Sequence, residues 1–184
     1  MKFCSACGHR VSHVIPAGDN RPRYVCDGCA QVHYQNPNIV AGSLPVLGGR
    51  VLLCRRAIEP RRGFWTLPAG FMENGESLEQ AARRETLEEA CANLGPAQIY
   101  TLFDLPHINQ VHVFFRAELA SEHFAAGEES LEVRLFEEAE IPWKELAFRT
   151  VARTLECYFA DRLAAGYPVR NEVLPPLAVT AVTP

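Results

Sequence analysis

The strongest constraint on this chain is a run of carboxylates on what is otherwise an ordinary helix. From Leu78 to Ala92 there is neither Pro nor Gly, and Ala, Leu, Glu, Gln and Arg dominate, residues that lose little on entering a helix. Ser77 precedes the run and Gln80 follows three residues later, the spacing of a reciprocal capping box. At about 100° per residue, Leu78, Ala81 and Ala82 share one stripe. That stripe continues into Glu85, Glu88 and Glu89. Three carboxylates within roughly one quadrant repel each other, and a buried one is costly unless paired. Two readings follow. The face is solvated, with an Arg84–Glu88 pair at i,i+4, or a hard divalent cation with oxygen ligands supplies the missing positive charge.

The loop before the helix decides for the cation. Gly70, Glu76, Arg84-Glu85 and Glu88-Glu89 together resemble the box of the Nudix hydrolases, G-x5-E-x7-R-E-U-x-E-E-x-G-U, where U is a bulky aliphatic residue. Every charged position and the first Gly agree. Three positions depart from it: Thr86 at an aliphatic position, Cys91 at the second Gly, and Ala92 at the last aliphatic position. With no Gly at 91, the helix is expected to run on until Asn93 or Gly95, ahead of Pro96, ends it.

The resemblance implies an α+β fold, the Nudix α/β/α sandwich with a mixed sheet between helices, and Mg2+ or Mn2+ on Glu85, Glu88 and Glu89. The backbone carbonyl before the box Gly, that of Ala69, is a further ligand in the family. Arg84 is expected to orient the carboxylates rather than touch substrate, and Glu76 to complete the loop–helix network or the outer metal shell. In the acidic loop Gly127–Glu132, Glu129 and Glu132 are candidates for a further ligand or the catalytic base, with a solvated acidic turn as the alternative. Arg55 and Arg56 alternate along a strand, so at most one points toward the phosphates.

Near the start, Cys4-Ser5-Ala6-Cys7 and Cys26-Asp27-Gly28-Cys29 form two CxxC pairs 18 residues apart. That doubled spacing suits tetrahedral zinc on Cys4, Cys7, Cys26 and Cys29. Two disulfides are disfavoured in a reducing compartment, and a redox CxxC belongs in a βαβ setting that is lacking here. His9, His13 and His33 are taken as bystanders, because four Cys complete the shell. A segment this short buries too little to fold unaided, so the zinc is structural. Together with Asn36-Pro37, this segment resembles the zinc ribbon that precedes a subset of Nudix hydrolases, NADH pyrophosphatases and ADP-ribose/FAD pyrophosphatases among them.

The organisation is then a zinc ribbon over 1–36, a Nudix domain over 37–166 and a tail over 167–184. Ile39–Leu47 and Arg50–Arg56 read as a hairpin joined by Gly48-Gly49. Trp65 reads as core rather than a base-stacking platform. Gln98–Leu105, Val111–Leu119 and Val133–Phe136 read as further strands. Phe148, Val151, Leu155, Phe159 and Leu163 make one face of a helix over 147–165 that Gly166 ends. The tail, with its prolines, shows no period and is expected to be loose or to pack across a partner. A homodimer is expected.

The net charge of −4 argues against a protein built around nucleic-acid contact. No apolar run approaches a membrane span, and Met1-Lys2-Phe3-Cys4 shows no signal-peptide core. A cytoplasmic protein is expected, with an organellar form released from a transit peptide as the alternative. The reaction implied by the resemblance is metal-dependent hydrolysis of a nucleoside diphosphate derivative. ADP-ribose and FAD, each releasing AMP, stand ahead of NADH, because the SQPWPFPxS motif of NADH pyrophosphatases has no match between Ala92 and Glu118. The other class is a non-catalytic ADP-ribose sensor. Such regulators lose box carboxylates and add a basic recognition helix, whereas this chain keeps the first and shows no sign of the second.

Overall fold

A computed structural model describes residues 1–164 and 166–176. The chain divides into two compact units, Met1–Pro37 and the segment from Asn38 onward. The first is a three-stranded antiparallel sheet, β1 (Val11–Val14), β2 (Arg23–Cys26) and β3 (Val32–His33), in that order. His13 and His33 both lie opposite Tyr24 across the ladder. Its buried residues are Cys4, Cys26 and His33. A unit whose interior is two thiols and an imidazole has no apolar core to hold it, which fits a fold held by metal.

The second unit contains β4 (Asn38–Leu47), β5 (Arg50–Arg56), β6 (Trp65–Thr66), β7 (Ala69–Phe71), α1 (Leu78–Ala90), β8 (Leu94–Leu105), β9 (Gln110–Leu119), β10 (Ser130–Phe136), α2 (Arg149–Ala164) and β11 (Arg170–Val173). Its sheet runs β10-β5-β4-β9-β8-β11, with β6 paired to β5 and β7 to β4. β4 with β9 and β8 with β11 are parallel, and the other pairs are antiparallel. The sheet is therefore mixed, as the resemblance implies. Gly48 and Gly49 both take positive φ, 57° and 80°, which the two-residue turn between Leu47 and Arg50 requires.

Alternation along β9 shows the layering. Val113 and Phe115 pack with Ala82 of α1, whereas Phe114 between them joins Val151, Leu155 and Phe159 of α2. Trp65 is buried edge-on against Phe136 in the α2 layer, so it is core. Burying a side chain of the size of Phe114 or Leu155 contributes about 1.5–3 kcal/mol. The α2 stripe stops at Phe159, since Leu163 is 83% exposed.

The described part of the tail, residues 167–176, departs from the expectation of a loose segment, and residues 177–184 lie outside the described residues. Arg170–Val173 is a strand beside β8, with Arg170 forked onto buried Asp161, which also accepts from Tyr100 Oη at 2.7 Å. Arg153 of α2 forks onto Glu172 at 2.8 Å twice. Four residues are too few for a legible period, and their partners lie far away in sequence. Among the described residues, no helix is long and apolar enough to cross a membrane.

Candidate metal centre and active site

The capping box forms as its sequence dictates. Ser77 Oγ accepts from the Gln80 N–H (3.3 Å) and Gln80 Oε1 from the Ser77 N–H (2.7 Å). Directly before it, Glu76 accepts from the Glu73 N–H (2.7 Å) and from Arg84 Nε (3.1 Å) and Nη2 (2.8 Å). Arg84 also donates through Nη1 to Glu85 (2.6 Å) and Glu88 (3.1 Å), and through Nη2 to the Phe71 carbonyl (3.1 Å). One guanidinium thereby ties the loop to three carboxylates. Its bonds to Glu76 hold that carboxyl below the usual range and raise the pKa of Arg84 itself.

Glu85, Glu88 and Glu89 differ in setting. Glu88 is exposed and held by Arg84. Glu85 is largely buried, and desolvation raises its pKa despite Arg84. Its carboxyl lies so close over Gly70 that a Cβ there would meet it at 2.3–2.6 Å; the box glycine is required by close approach rather than by a turn. Glu89 is 6% exposed, and its Oε2 has no hydrogen-bond partner. Burial, then the charge of Glu85, lifts its pKa to about 8, against the opposing pull of Arg56. A buried, unpaired acceptor beside a second, largely buried carboxyl is a donor set that a hard divalent cation fits. Ala69 sits on β7 directly before Gly70, paired with Gly42 of β4.

The segment between β9 and β10 is tied to the end of α1. The Ala125 N–H bonds the Ala90 carbonyl (2.9 Å) and the Gly127 N–H that of Glu89 (3.1 Å). A Cβ on Gly127 would sit 1.7 Å from the Glu88 carbonyl oxygen, so glycine is obligatory there. This crossing sets the following Glu129 where its charge acts on Glu85 and Glu89. Glu132 is placed apart, exposed and 3.9 Å from Arg55. Arg55 is further occupied by the Gly63 carbonyl (2.9 Å), while Arg56 is the cation whose charge reaches Glu89. The two arginines thus diverge.

α1 ends at Ala90, short of the expected Asn93 or Gly95. Cys91, at the family's glycine position, itself takes the left-handed conformation (φ 48°, ψ 31°) and bonds back to the Leu87 carbonyl. Thr86 is fully buried, donating to the Ala82 carbonyl (2.6 Å) and meeting Ser43 Oγ of β4 (2.6 Å). Neither Ser43 nor the role of the 121–127 segment carries a local sequence signal.

In the first unit, Cys4, Cys7, Cys26 and Cys29 have their sulfurs within 4.8 Å of one another. The contacts Cys4–Cys29, Cys7–Cys26 and Cys7–Cys29 are 3.8, 3.3 and 3.4 Å. Tetrahedral zinc at about 2.3 Å from each sulfur needs about 3.8 Å between sulfurs, so the four fit it with small adjustment. His33 Nε2 lies 3.3 Å from Cys4 Sγ, closer than a bystander.

Two family models match the chain: the Nudix N-terminal zinc ribbon over residues 2–35 and the NUDIX domain over residues 37–156. A NUDIX hydrolase from Nitrosomonas europaea of known structure is 50% identical, with a TM-score of 0.92 over 96% of this chain and 100% of that one. The NAD-capped RNA hydrolase NudC of Stutzerimonas stutzeri is 32% identical over 91% of this chain, and that of Pseudomonas aeruginosa 30% identical over 91%. The chain spans 59% of the length of each of these two relatives. An ADP-ribose pyrophosphatase from Streptococcus suis shares the fold at 18% identity, with a TM-score of 0.62 over 74% of this chain and 99% of that one.

Proposed function

The chain belongs to the Nudix hydrolases, with a zinc-ribbon unit ahead of its Nudix domain, and from that premise we propose that it is a pyrophosphohydrolase that splits the pyrophosphate of an ADP-linked compound and releases AMP. The observation that carries the reading is the box itself: Arg84 clamping Glu76, Glu85 and Glu88, with Glu89 buried and unpaired beside them. Glu85, Glu88, Glu89 and the Ala69 carbonyl would hold Mg2+ or Mn2+, which would supply neutralising charge on the pyrophosphate and make a bound water more acidic.

The residues of the chain do the rest. Arg84 holds the carboxylates in register before substrate arrives, so their ordering is not a cost of binding. Glu129, held by the crossing at Gly127 and acting on Glu85 and Glu89, is better supported as base or additional ligand than Glu132. Arg56 is better supported than Arg55 as the phosphate-facing cation, because its charge acts on Glu89, whereas Arg55 is paired with Glu132; each also donates to a backbone carbonyl, Arg56 to Pro60 and Arg55 to Gly63.

ADP-ribose and FAD remain ahead on the missing downstream motif. A second reading has its own support: the relatives at 30–32% identity are named for NAD-capped RNA, which supports an NAD-type substrate, free or at the end of an RNA, alongside the other two. All of these share the ADP half, so the pyrophosphate clamp cannot separate them. Selectivity must arise at the other half, where hydrogen-bonding sites reject an analogue more strongly than shape alone. The test is kcat/KM for ADP-ribose, FAD, NADH and an NAD-capped RNA, each with Mg2+ and Mn2+. A tenfold lead for NADH or the capped RNA overturns the substrate order and leaves the chemistry standing. No turnover of any, with ADP-ribose binding intact, favours a sensor.

A further inference from the structure

The two cysteine knuckles repeat each other, bond for bond, with one exception. The Cys4 N–H bonds the His9 carbonyl (2.8 Å), as the Cys26 N–H bonds that of Gln31 (2.9 Å). The Gly8 N–H returns to the Cys4 carbonyl (3.0 Å), as the Ala30 N–H returns to that of Cys26 (3.0 Å). Gly8 and Ala30 occupy the same left-handed position, with φ of 75° and 59°. The Ala6 N–H points at Cys4 Sγ (3.4 Å), as the Gly28 N–H points at Cys26 Sγ (3.3 Å).

The exception is the second donor to sulfur. Cys26 Sγ also receives the Cys29 N–H at 3.3 Å, but among the described residues the equivalent Cys7 N–H makes no such bond to Cys4. In that place stands the imidazole of His33, with Nε2 3.3 Å from Cys4 Sγ. His33 is one of the three buried residues of the unit, and β3 fixes it opposite Tyr24. A thiolate holding zinc has only lone pairs to offer toward a ring nitrogen. The hydrogen in this contact must therefore sit on Nε2.

We infer that His33 is a positioning residue of the zinc site, its Nε2–H donating to the Cys4 thiolate in place of the N–H···S bond that the first knuckle lacks. The inference rests on the four cysteines being a zinc site. Each N–H···S bond draws charge from its sulfur, makes the thiolate a poorer nucleophile and fixes its direction. Cys4 and Cys26, the buried ligands, thereby carry two donors each and anchor the ion, one from each knuckle. The exposed Cys7 and Cys29 are the side from which a competitor reaches it. An exposed aromatic donor could not serve, because water would compete for its hydrogen.

The test compares the full chain with His33→Phe, which keeps a ring and removes the donor, and His33→Gln, which restores a donor on a side chain of other shape. The transfer rate of zinc to a chromophoric chelator should rise about 10- to 100-fold in His33→Phe, the range for lost outer-shell partners, and fall back toward wild type in His33→Gln. With cobalt(II) in place of zinc, the sulfur-to-cobalt charge-transfer band should move to lower energy in His33→Phe, because an unbonded thiolate gives up charge more easily. If His33→Phe fails to hold metal at all, cadmium-113 in the wild-type chain decides: the bond predicts a scalar coupling between the His33 Nε2 hydrogen and the metal. Equal transfer rates in all three proteins overturn the inference, as does His33→Gln behaving like His33→Phe, or absence of the coupling. A wild-type chain that binds neither zinc nor cobalt overturns the zinc reading first.

Discussion

Replacing Glu89 by Gln should make the chain more stable when no divalent cation is bound at the box, and increasingly so as pH rises from 4.5 toward 8. Glu89 is almost fully buried, Oε2 lacks a partner, and Glu85 adds like charge. Its folded pKa of about 8, against 4.5 ordinarily, means the folded chain binds this proton more tightly than the unfolded one. The contribution is therefore fully present below pH 4.5 and is lost as pH rises through about 8. At about 1.4 kcal/mol per pH unit, the loss approaches about 4 kcal/mol at pH 7.5. Gln has nearly the same shape and no charge to bury, so the variant should gain about 2–4 kcal/mol at pH 7.5 and almost nothing at pH 4.5. The measurement is urea unfolding in buffer free of magnesium and manganese, followed by the fluorescence of Trp65 and Trp143. The difference between the two proteins cancels His112, whose pKa burial depresses to about 4 and which pulls the other way below pH 6.5. Adding Mn2+ should reverse the order, since only the wild type has the charge to bind it fully. A gain that is missing at pH 8, or equally large at pH 4.5, would refute the assignment of a buried, cation-seeking carboxyl.

Other expectations follow from the same geometry. Glu85→Gln and Glu89→Gln should each lower kcat by about 100-fold or more while circular dichroism stays unchanged; an unchanged rate in both would return the carboxylates to a mere surface face. Cys91→Gly should stabilise the chain by about 1 kcal/mol, the cost of a left-handed residue with a Cβ, and thermal unfolding reads it. Arg170→Ala should cost about 2 kcal/mol or more by stranding the buried Asp161 charge, and a wild-type melting temperature would show the tail strand to be dispensable. Protein purified without added metal should carry one zinc per chain, and stripping it should melt the ribbon while the fluorescence of Trp65 and Trp143 stays native.

Much of this was legible because its signals are local. The capping box, the Gly48-Gly49 turn and the CxxC pairs each state their own geometry within a few residues. The carboxylate face was legible because a helix converts spacing into direction. The tail strand was not, because Arg170–Val173 is too short for periodicity and is held by Asp161 and Arg153, side chains in a helix that precedes it. His33 was passed over for a related reason. Counting ligands satisfies the metal but says nothing of what the sulfurs themselves accept.

The helix end shows how a fold overrides a local rule. By local preference, Cys91 should continue the helix and leave Asn93 or Gly95 to end it. Continuing it would claim the Glu89 and Ala90 carbonyls for the N–H groups of residues 93 and 94. Those carbonyls already accept from Gly127 and Ala125. The strain at Cys91 is modest, whereas losing the crossing would unseat the loop that sets Glu129 near Glu85 and Glu89. Thr86 is tolerated by the same logic, since Ser43, on a strand far away in sequence, meets its hydroxyl. Two of the three departures from the family pattern, Thr86 and Cys91, therefore fall where contacts from elsewhere in the fold accommodate them. Gly70 has no such substitute, because a Cβ there would meet the Glu85 carboxyl at 2.3–2.6 Å, and the box carboxylates have none because their charge is itself what a divalent cation requires.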